Sequence, residues 1–207
     1  KRIYYPFFLS RYTAFLSVVK ENTRYLSKFN VPCSKIIFSP HAVDQTFWSG
    51  EIRKHKKFTF IWVAKFIPLK RPLDAIDAFL KLHVKKPNIE LKMVGAGPLL
   101  ESAKKRAQNC KAVSFLGFKN QMELRKEYLS SDVLLLTSDS ETWGLVVNEA
   151  LSIGLRVITS SEVGCSPDLI SNGIGLVYEV GDTNSLSLAM NSLYEQRLTS
   201  NYYEVLR

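Results

Sequence analysis

A chain of 207 residues, 46% hydrophobic and 23% charged, has an ordinary globular make-up and buries enough apolar surface to fold without staples. Its few, scattered cysteines (Cys33, Cys110, Cys165) and histidines (His41, His55, His83) form no C-x-x-C or Cys/His pattern, which excludes a disulfide framework, argues against a metal site and fits a reducing, cytoplasmic compartment. The net charge of +9 leaves nucleic acid, an anionic membrane surface or a polyphosphate substrate as partner classes, beside the plainer reading of solvated lysine-rich helix faces.

Residues 1–57 come first and stand apart. Lys1 to Leu9 starts basic and turns apolar, but it lacks the long apolar core and small-residue cleavage site of a signal peptide. Tyr4–Phe29 is aromatic and then amphipathic, Ile36–Phe38 is a short strand-like run, and Ser39-Pro40-His41-Ala42 reads as a turn. One helix and one strand do not make a domain, so this piece is expected to pack on the domain that follows or on a part that is absent. From Phe58 onward, short apolar runs alternate with helical stretches. The runs are Phe58–Ala64, Ile89–Val94, Val113–Leu116, Val133–Thr137, Val157–Thr159 and Gly175–Tyr178, most of them rich in Val, Ile, Leu or Phe as buried parallel strands are. The helical stretches are Arg71–Lys86, Leu99–Gln108, Met122–Ser130, Leu145–Ile153 and Asn184–Tyr194, with Asp182 placed to cap the last. This alternation predicts an α/β fold with a doubly wound parallel sheet over 58–182, followed by a helical segment at 183–207. No apolar run is long enough to span a membrane.

Ligands of such sheets sit beyond the carboxyl ends of the strands, and three segments there carry candidate chemistry. Val94-Gly95-Ala96-Gly97-Pro98 leads from a strand into a helix; Gly95 and Gly97 allow either a close approach of backbone to an anionic ligand or a tight turn. The third glycine of a dinucleotide fingerprint is missing, so that fingerprint is incomplete. In the run from Ser138 to Glu149, Gly144, Leu145 and Val146 sit at a helix start, where free amides suit a diphosphate. Glu141 falls in the loop before that start and Glu149 more than one turn into the helix, where a carboxylate can accept hydrogen bonds from ribose hydroxyls. The same glutamates also suit an ordinary helix start and helix surface. Lys65 and Lys70, after the first strand of the domain, are cations placed to stabilise a leaving diphosphate, or else lysines of a solvated loop.

Together these segments resemble family 4 of the GT-B glycosyltransferases. That family shows a strand ending in Gly-Arg with a Lys about five residues on; here Ala64 and Lys65 stand at the first two positions and Lys70 at the third. Met93-Val94-Gly95-Ala96-Gly97-Pro98, Phe115-Leu116-Gly117-Phe118 and the E-x7-E pair Glu141 and Glu149 follow in the family's order. Val31-Pro32 through Ser39-Pro40-His41-Ala42-Val43-Asp44 resembles the crossover from the acceptor domain. The resemblance implies that Lys65 and Lys70 hold the diphosphate, Glu149 the ribose and Glu141 the donor sugar, while the amides of Gly144, Leu145 and Val146 meet phosphate or sugar. It places Gly117 and Phe118 near the base and leaves Ser166 and Asp168 as loop residues lining the site. Lys65 keeps the charge of the family's Arg and loses its bidentate fork.

The resemblance further implies retaining transfer of a hexose from a nucleotide-diphosphate sugar, with a UDP-sugar first and a GDP-sugar second, to a glycan or lipid-linked acceptor in polysaccharide biosynthesis. It implies no metal and no cofactor. It makes residues 1–57 a remnant of the acceptor domain plus crossover, and the acceptor is expected to bind through that missing domain. The basic charge fits peripheral contact with an anionic membrane face, and no basic–aromatic interleaving points to nucleic acid. A GT-B epimerase or phosphorylase and a non-catalytic nucleotide-binding module remain alternatives.

Overall fold

The computed structural model describes residues 4–50, 57–171 and 173–197. Its centre is an all-parallel sheet of β3 (Phe58–Val63), β4 (Ile89–Val94), β5 (Val113–Gly117), β6 (Val133–Leu136), β7 (Arg156–Ser160) and β8 (Gly175–Tyr178). The order across the sheet is β5-β4-β3-β6-β7-β8, so β3 lies in the middle although it comes first in this sheet. The helices are α3 (Pro72–His83), α4 (Leu100–Ala107), α5 (Gln121–Tyr128), α6 (Leu145–Ile153), α7 (Ser166–Leu169) and α8 (Thr183–Gln196). Every strand of this sheet is a run expected from the sequence. Helix α3 ends earlier than expected, because Pro87 disfavours helical backbone at Lys86; the Lys85 and Lys86 amides both turn back onto the Leu82 carbonyl instead.

Strand β3 is buried along its whole length, and its side chains alternate between two cores. Phe58, Phe60 and Trp62 pack with Ile76 and Phe79 of α3, Ala103 of α4, and Leu186 and Met190 of α8. Ile61 and Val63 pack on the other face with Leu124 and Tyr128 of α5 and Val147, Ala150 and Ile153 of α6. Crossovers that start on opposite sides of the sheet therefore part company between β3 and β6. At the amino end of that pair the buried Asp132 closes a two-way clasp: its amide donates to the Thr59 carbonyl (2.8 Å) and its carboxylate accepts from the Thr59 amide (2.8 Å). The α8 N-terminus is capped by Asp182, which accepts from the Asn184 and Ser185 amides at 2.9 Å. Leu186, Met190 and Leu193 sink that helix into the same core as β3, so the segment expected as separate from residue 183 packs as part of the domain through its described residues. Residues 198–207 lie outside the described residues.

The first segment holds more structure than one helix and one strand. It contains α1 (Tyr4–Leu9), β1 (Phe15–Ser17), α2 (Lys20–Ser27) and β2 (Ile36–Phe38), with β1 and β2 paired in parallel. The buried Ser17 ends β1 by donating to the Val19 carbonyl (2.9 Å) and sharing a proton with the Thr23 hydroxyl (2.6 Å), which turns the chain into α2. Val19 and Trp48 are buried against the α5–α6 face, and Lys20 pairs with Asp168 at 3.2 Å, so the segment docks on the domain that follows it. Cys165 is buried and burial pushes its thiol up to about 12, which leaves it protonated and unreactive. Cys33 is exposed and Cys110 half-buried, and all three are free thiols. No helix among the described residues is long and apolar enough to cross a membrane.

Removing the clasp at the foot of the sheet tests how far β3 depends on it. Asp132→Ala leaves the buried Thr59 amide without its acceptor, and is expected to lower the unfolding free energy by about 2 kcal/mol. Urea denaturation with an unchanged m-value checks this; an unshifted midpoint would remove the clasp from the account of stability.

Candidate active site

A cavity of about 390 Å³ opens at the carboxyl ends of β3 and β6, where the crossovers diverge. Val63 and Ala64 from the β3 end, Leu136 from β6, Lys70, His41 and the run Glu141 to Val146 line it. Of the site residues expected from the sequence, Lys70, Glu141, Gly144, Leu145 and Val146 thus come together here.

Lys70 closes a short 3-10 turn, Pro68–Lys70, which is tied by two hydrogen bonds to the chain that leaves the carboxyl end of β6. The Asp139 amide donates to the Leu69 carbonyl (2.8 Å), and the Thr137 hydroxyl donates to the Lys70 carbonyl (2.8 Å). Thr137 in turn accepts from the indole N–H of the fully buried Trp62 (2.9 Å), so a side chain in the core ends in a tie to the cation's own backbone. The Lys70 ammonium pairs with the Glu141 carboxylate, the two side chains being 17% and 22% exposed. Arg71 follows in left-handed backbone (φ 46°, ψ 52°) and turns its guanidinium away to Asp74 (2.7 Å) and Asp139 (3.3 Å). The hydrogen bond it donates to Asp74 holds its pKa above the usual arginine value.

Helix α6 begins at Gly144, whose φ of 97° favours glycine, and no side chain caps it. The first amides of the helix therefore face the cavity region without intrahelical partners. Lys65 is exposed on the loop just beyond Ala64 and makes no ion pair with a described residue. The two glycines after β4 have a packing reason: a Cβ on Gly95 would stand 1.9 Å from the Ala64 carbonyl oxygen, and one on Gly97 2.6 Å from the Phe66 carbonyl oxygen. They let the Lys65 loop lie flat against the β4 end, where the Phe66 amide donates to the Ala96 carbonyl (2.9 Å). Gly117 (φ 69°) ends β5 and accepts from the Gly95 amide (2.8 Å); Phe118 beside it is 79% exposed. None of Lys65, Gly95, Gly97, Gly117 and Phe118 lines the cavity wall.

Glu149 lies on α6 behind the cavity, and its carboxylate accepts from the Tyr128 hydroxyl at 3.2 Å. Burial raises its pKa above the usual carboxylate value, and the Tyr128 hydrogen bond works against that rise. Ser166 and Asp168 are not in a loop on the cavity: they form α7, with Ser166 tied to Thr159 (2.7 Å) and Asp168 to Lys20. Two residues reach the site that spacing did not assign to it. The His41 ring stands edge-on to Trp143 (5.6 Å between centroids), and the His41 carbonyl accepts from the Asn148 side chain (3.2 Å). Trp143 donates to the same Asn148 (2.6 Å), so this chain of contacts fixes the crossover segment to the cavity rim. Trp143 and His41 each stood within a recognised segment, but His41 lies over 100 residues from Trp143 in sequence and no spacing joined the two.

The sheet order, the helices on both faces and a charged cavity at the point of divergence define a Rossmann-like, doubly wound α/β domain. Residues 44–205 match the family described as glycosyl transferases group 1, and the chain belongs to that family. It is 32% identical over 150 residues to N-acetyl-alpha-D-glucosaminyl L-malate synthase of Bacillus anthracis, covering 71% of this chain and 39% of that protein. It is 25% identical over 195 residues to D-inositol 3-phosphate glycosyltransferase of Arthrobacter sp. (strain FB24), covering 86% of this chain and 46% of that protein. The chain thus spans less than half the length of these relatives. In fold it is similar to HepE of Anabaena in complex with UDP, with a TM-score of 0.77 at 18% identity over 94% of this chain and 58% of that one. The fold is that of the C-terminal half of a GT-B glycosyltransferase.

Thr137→Val keeps the shape of the relay under Lys70 and removes its proton. It is expected to cost about 2 kcal/mol of stability, because it leaves the Trp62 N–H buried without an acceptor. Thr137→Ser, which keeps the hydroxyl, is expected to cost clearly less. Thermal unfolding of the two variants side by side decides it: a larger loss for Thr137→Ser than for Thr137→Val would show that the methyl group, and not the relay, matters.

Proposed function

We propose that this chain is the donor-binding part of a retaining hexosyltransferase, taking a nucleotide-diphosphate sugar for transfer to an acceptor hydroxyl. The observation that carries the reading is the cavity at the β3/β6 divergence, walled by a lysine, a glutamate and the uncapped start of α6. The diphosphate lies against that helix start, where unpaired amides and the helix dipole favour anions. Lys70 and Lys65 supply the compensating positive charge, so the reading needs neither metal nor cofactor. Glu141, beside Lys70 on the cavity wall, meets hydroxyls of the sugar. Glu149 takes the ribose hydroxyls, and the base lies toward Gly117 and Phe118 beyond the Gly95–Gly97 turn. In the transfer, the bond from the sugar's anomeric carbon to the diphosphate oxygen breaks. The acceptor oxygen bonds to that carbon on the same face, and its proton passes to the departing phosphate. A UDP-sugar is the first choice, since HepE, alike in fold, was solved with UDP and with UDP-glucose. The acceptor, a glycan or a lipid-linked intermediate, is met by the portion of the relatives that this chain does not span, and the basic charge suits an anionic membrane surface nearby.

Calorimetric titration with UDP, GDP and a panel of their sugars tests this directly. Saturable binding of one nucleotide series is expected; none at millimolar ligand would sink the reading for this chain. The double change Lys65→Ala with Lys70→Ala, and Glu149→Ala alone, are each expected to weaken nucleotide binding about tenfold or more. Glu141→Ala is expected to weaken the nucleotide sugar more than the bare nucleotide, and equal losses would move Glu141 away from the sugar.

A further inference from the structure

Tyr128 ends α5 with its ring wholly buried, yet its hydroxyl has a polar partner, the Glu149 carboxylate at 3.2 Å. A phenol shut off from water has one proton to give, and here it goes to an oxygen of the glutamate. The other oxygen of Glu149 makes no hydrogen bond to a described residue. The phenol is itself held from the crossover side. Trp48, 3% exposed, packs at a tilt against Tyr128 with 5.7 Å between ring centroids. Arg125, one turn earlier on α5, donates to the Phe47 carbonyl (2.6 Å) and to the Ser49 carbonyl, pinning the backbone on both sides of Trp48. Three segments far apart in sequence, the crossover, α5 and α6, thus converge on one carboxylate.

We propose that Tyr128 is a positioning residue for Glu149, fixing its carboxylate for a ribose diol, and that Trp48 of the crossover holds Tyr128 in place for that task. The proposal rests on the reading of Glu149 as the ribose ligand. A glutamate has three rotatable bonds, and a diol needs both acceptor directions set at once; a side chain free to turn gives up affinity to order itself. The Tyr128 hydrogen bond removes that freedom by holding one lone pair of one oxygen, and leaves the other oxygen and the remaining lone pair for the diol. It also favours the ionised carboxylate, against the burial that favours the acid. Specificity for a hydroxyl-bearing ribose then follows from buried polar groups that go unpaired when the hydroxyls are missing.

The test is calorimetric titration of the 207-residue chain with UDP and with 2′,3′-dideoxy-UDP. The parent is expected to bind UDP at least tenfold tighter than the dideoxy analogue, and Glu149→Ala to erase most of that preference. Tyr128→Phe keeps the ring against Trp48 and removes only the proton. It is expected to weaken UDP about fivefold while leaving the dideoxy analogue unchanged, so that the ratio of the two falls toward that of Glu149→Ala. Trp48→Phe is expected to move the ratio the same way by a smaller factor. If Tyr128→Phe weakens both ligands equally, or neither, Tyr128 is a packing residue and the proposal is overturned while the role of Glu149 stands. If the parent itself shows no preference for the ribose, or Glu149→Ala keeps it, the reading of Glu149 falls and takes the proposal with it.

Discussion

Strand β3 must be buried on both faces and must also stand where the crossovers part. Nearly everything about the site follows from that constraint. A strand covered on both sides reads as a near-continuous apolar run, and Phe58 to Val63, broken only by the buried Thr59, is one. It and its neighbour β6 start connections on opposite faces, through α3 and α6, so the loops at their carboxyl ends diverge and leave the space between them open. The opening that results is walled by the last residues of β3 and β6, which is why Val63, Ala64 and Leu136 form the base of the cavity. The charged residues on its rim are supplied by the loops that the divergence leaves exposed.

What keeps those loops in place is a set of polar ties that run back into the core. Trp62 is a core residue on the α3 side, yet its indole N–H governs the turn carrying Lys70 through the Thr137 hydroxyl. The Lys65 loop lies against the β4 end because Gly95 and Gly97 leave no side chain in its way. A buried relay of this kind tolerates no half measures: each member satisfies another, and removing one strands its partner. The Lys70–Glu141 pair adds a second level of order. It holds two cavity-wall side chains in one arrangement at low exposure, where a pair is screened less than on an open surface.

The fold was largely legible because its strands are buried runs and its helices carry a 3.6-residue period, both of which are local signals. Strand β1 was not, since Phe15, Leu16 and Ser17 are too few to show a period, and their strand character comes from pairing with β2 across some twenty residues. The cavity wall was legible where a segment supplied it in one stretch, as Glu141 to Val146 does. It was not where the wall is assembled from afar. His41 reaches it through Asn148 and Trp143, and Tyr128 reaches Glu149 from another helix; neither contact leaves a mark in spacing. Arg71, Lys92, Lys104 and Arg106 belong to a strongly basic chain, and each is paired with a carboxylate, a neighbour that composition does not reveal.

The spacing of the two glutamates has a physical meaning that composition alone does not carry. Glu141 lies in the loop before α6 and Glu149 five residues past Gly144, inside the helix. An α-helix rises about 1.5 Å per residue, so the amide end and the Glu149 backbone are set about 7.5 Å apart along one axis. Helix α6 can serve as a ruler because it is held from beneath: Val147, Ala150 and Ile153 are buried in the core, and Gly154 stops the helix in left-handed backbone (φ 96°). Each residue also turns the helix by about 100°. One residue more or fewer between Gly144 and Glu149 would swing the carboxylate off the face that Tyr128 reaches, while leaving the helix start where it is. The interval between the glutamates therefore specifies a direction as well as a distance, and the sheet beneath α6 makes that direction hold.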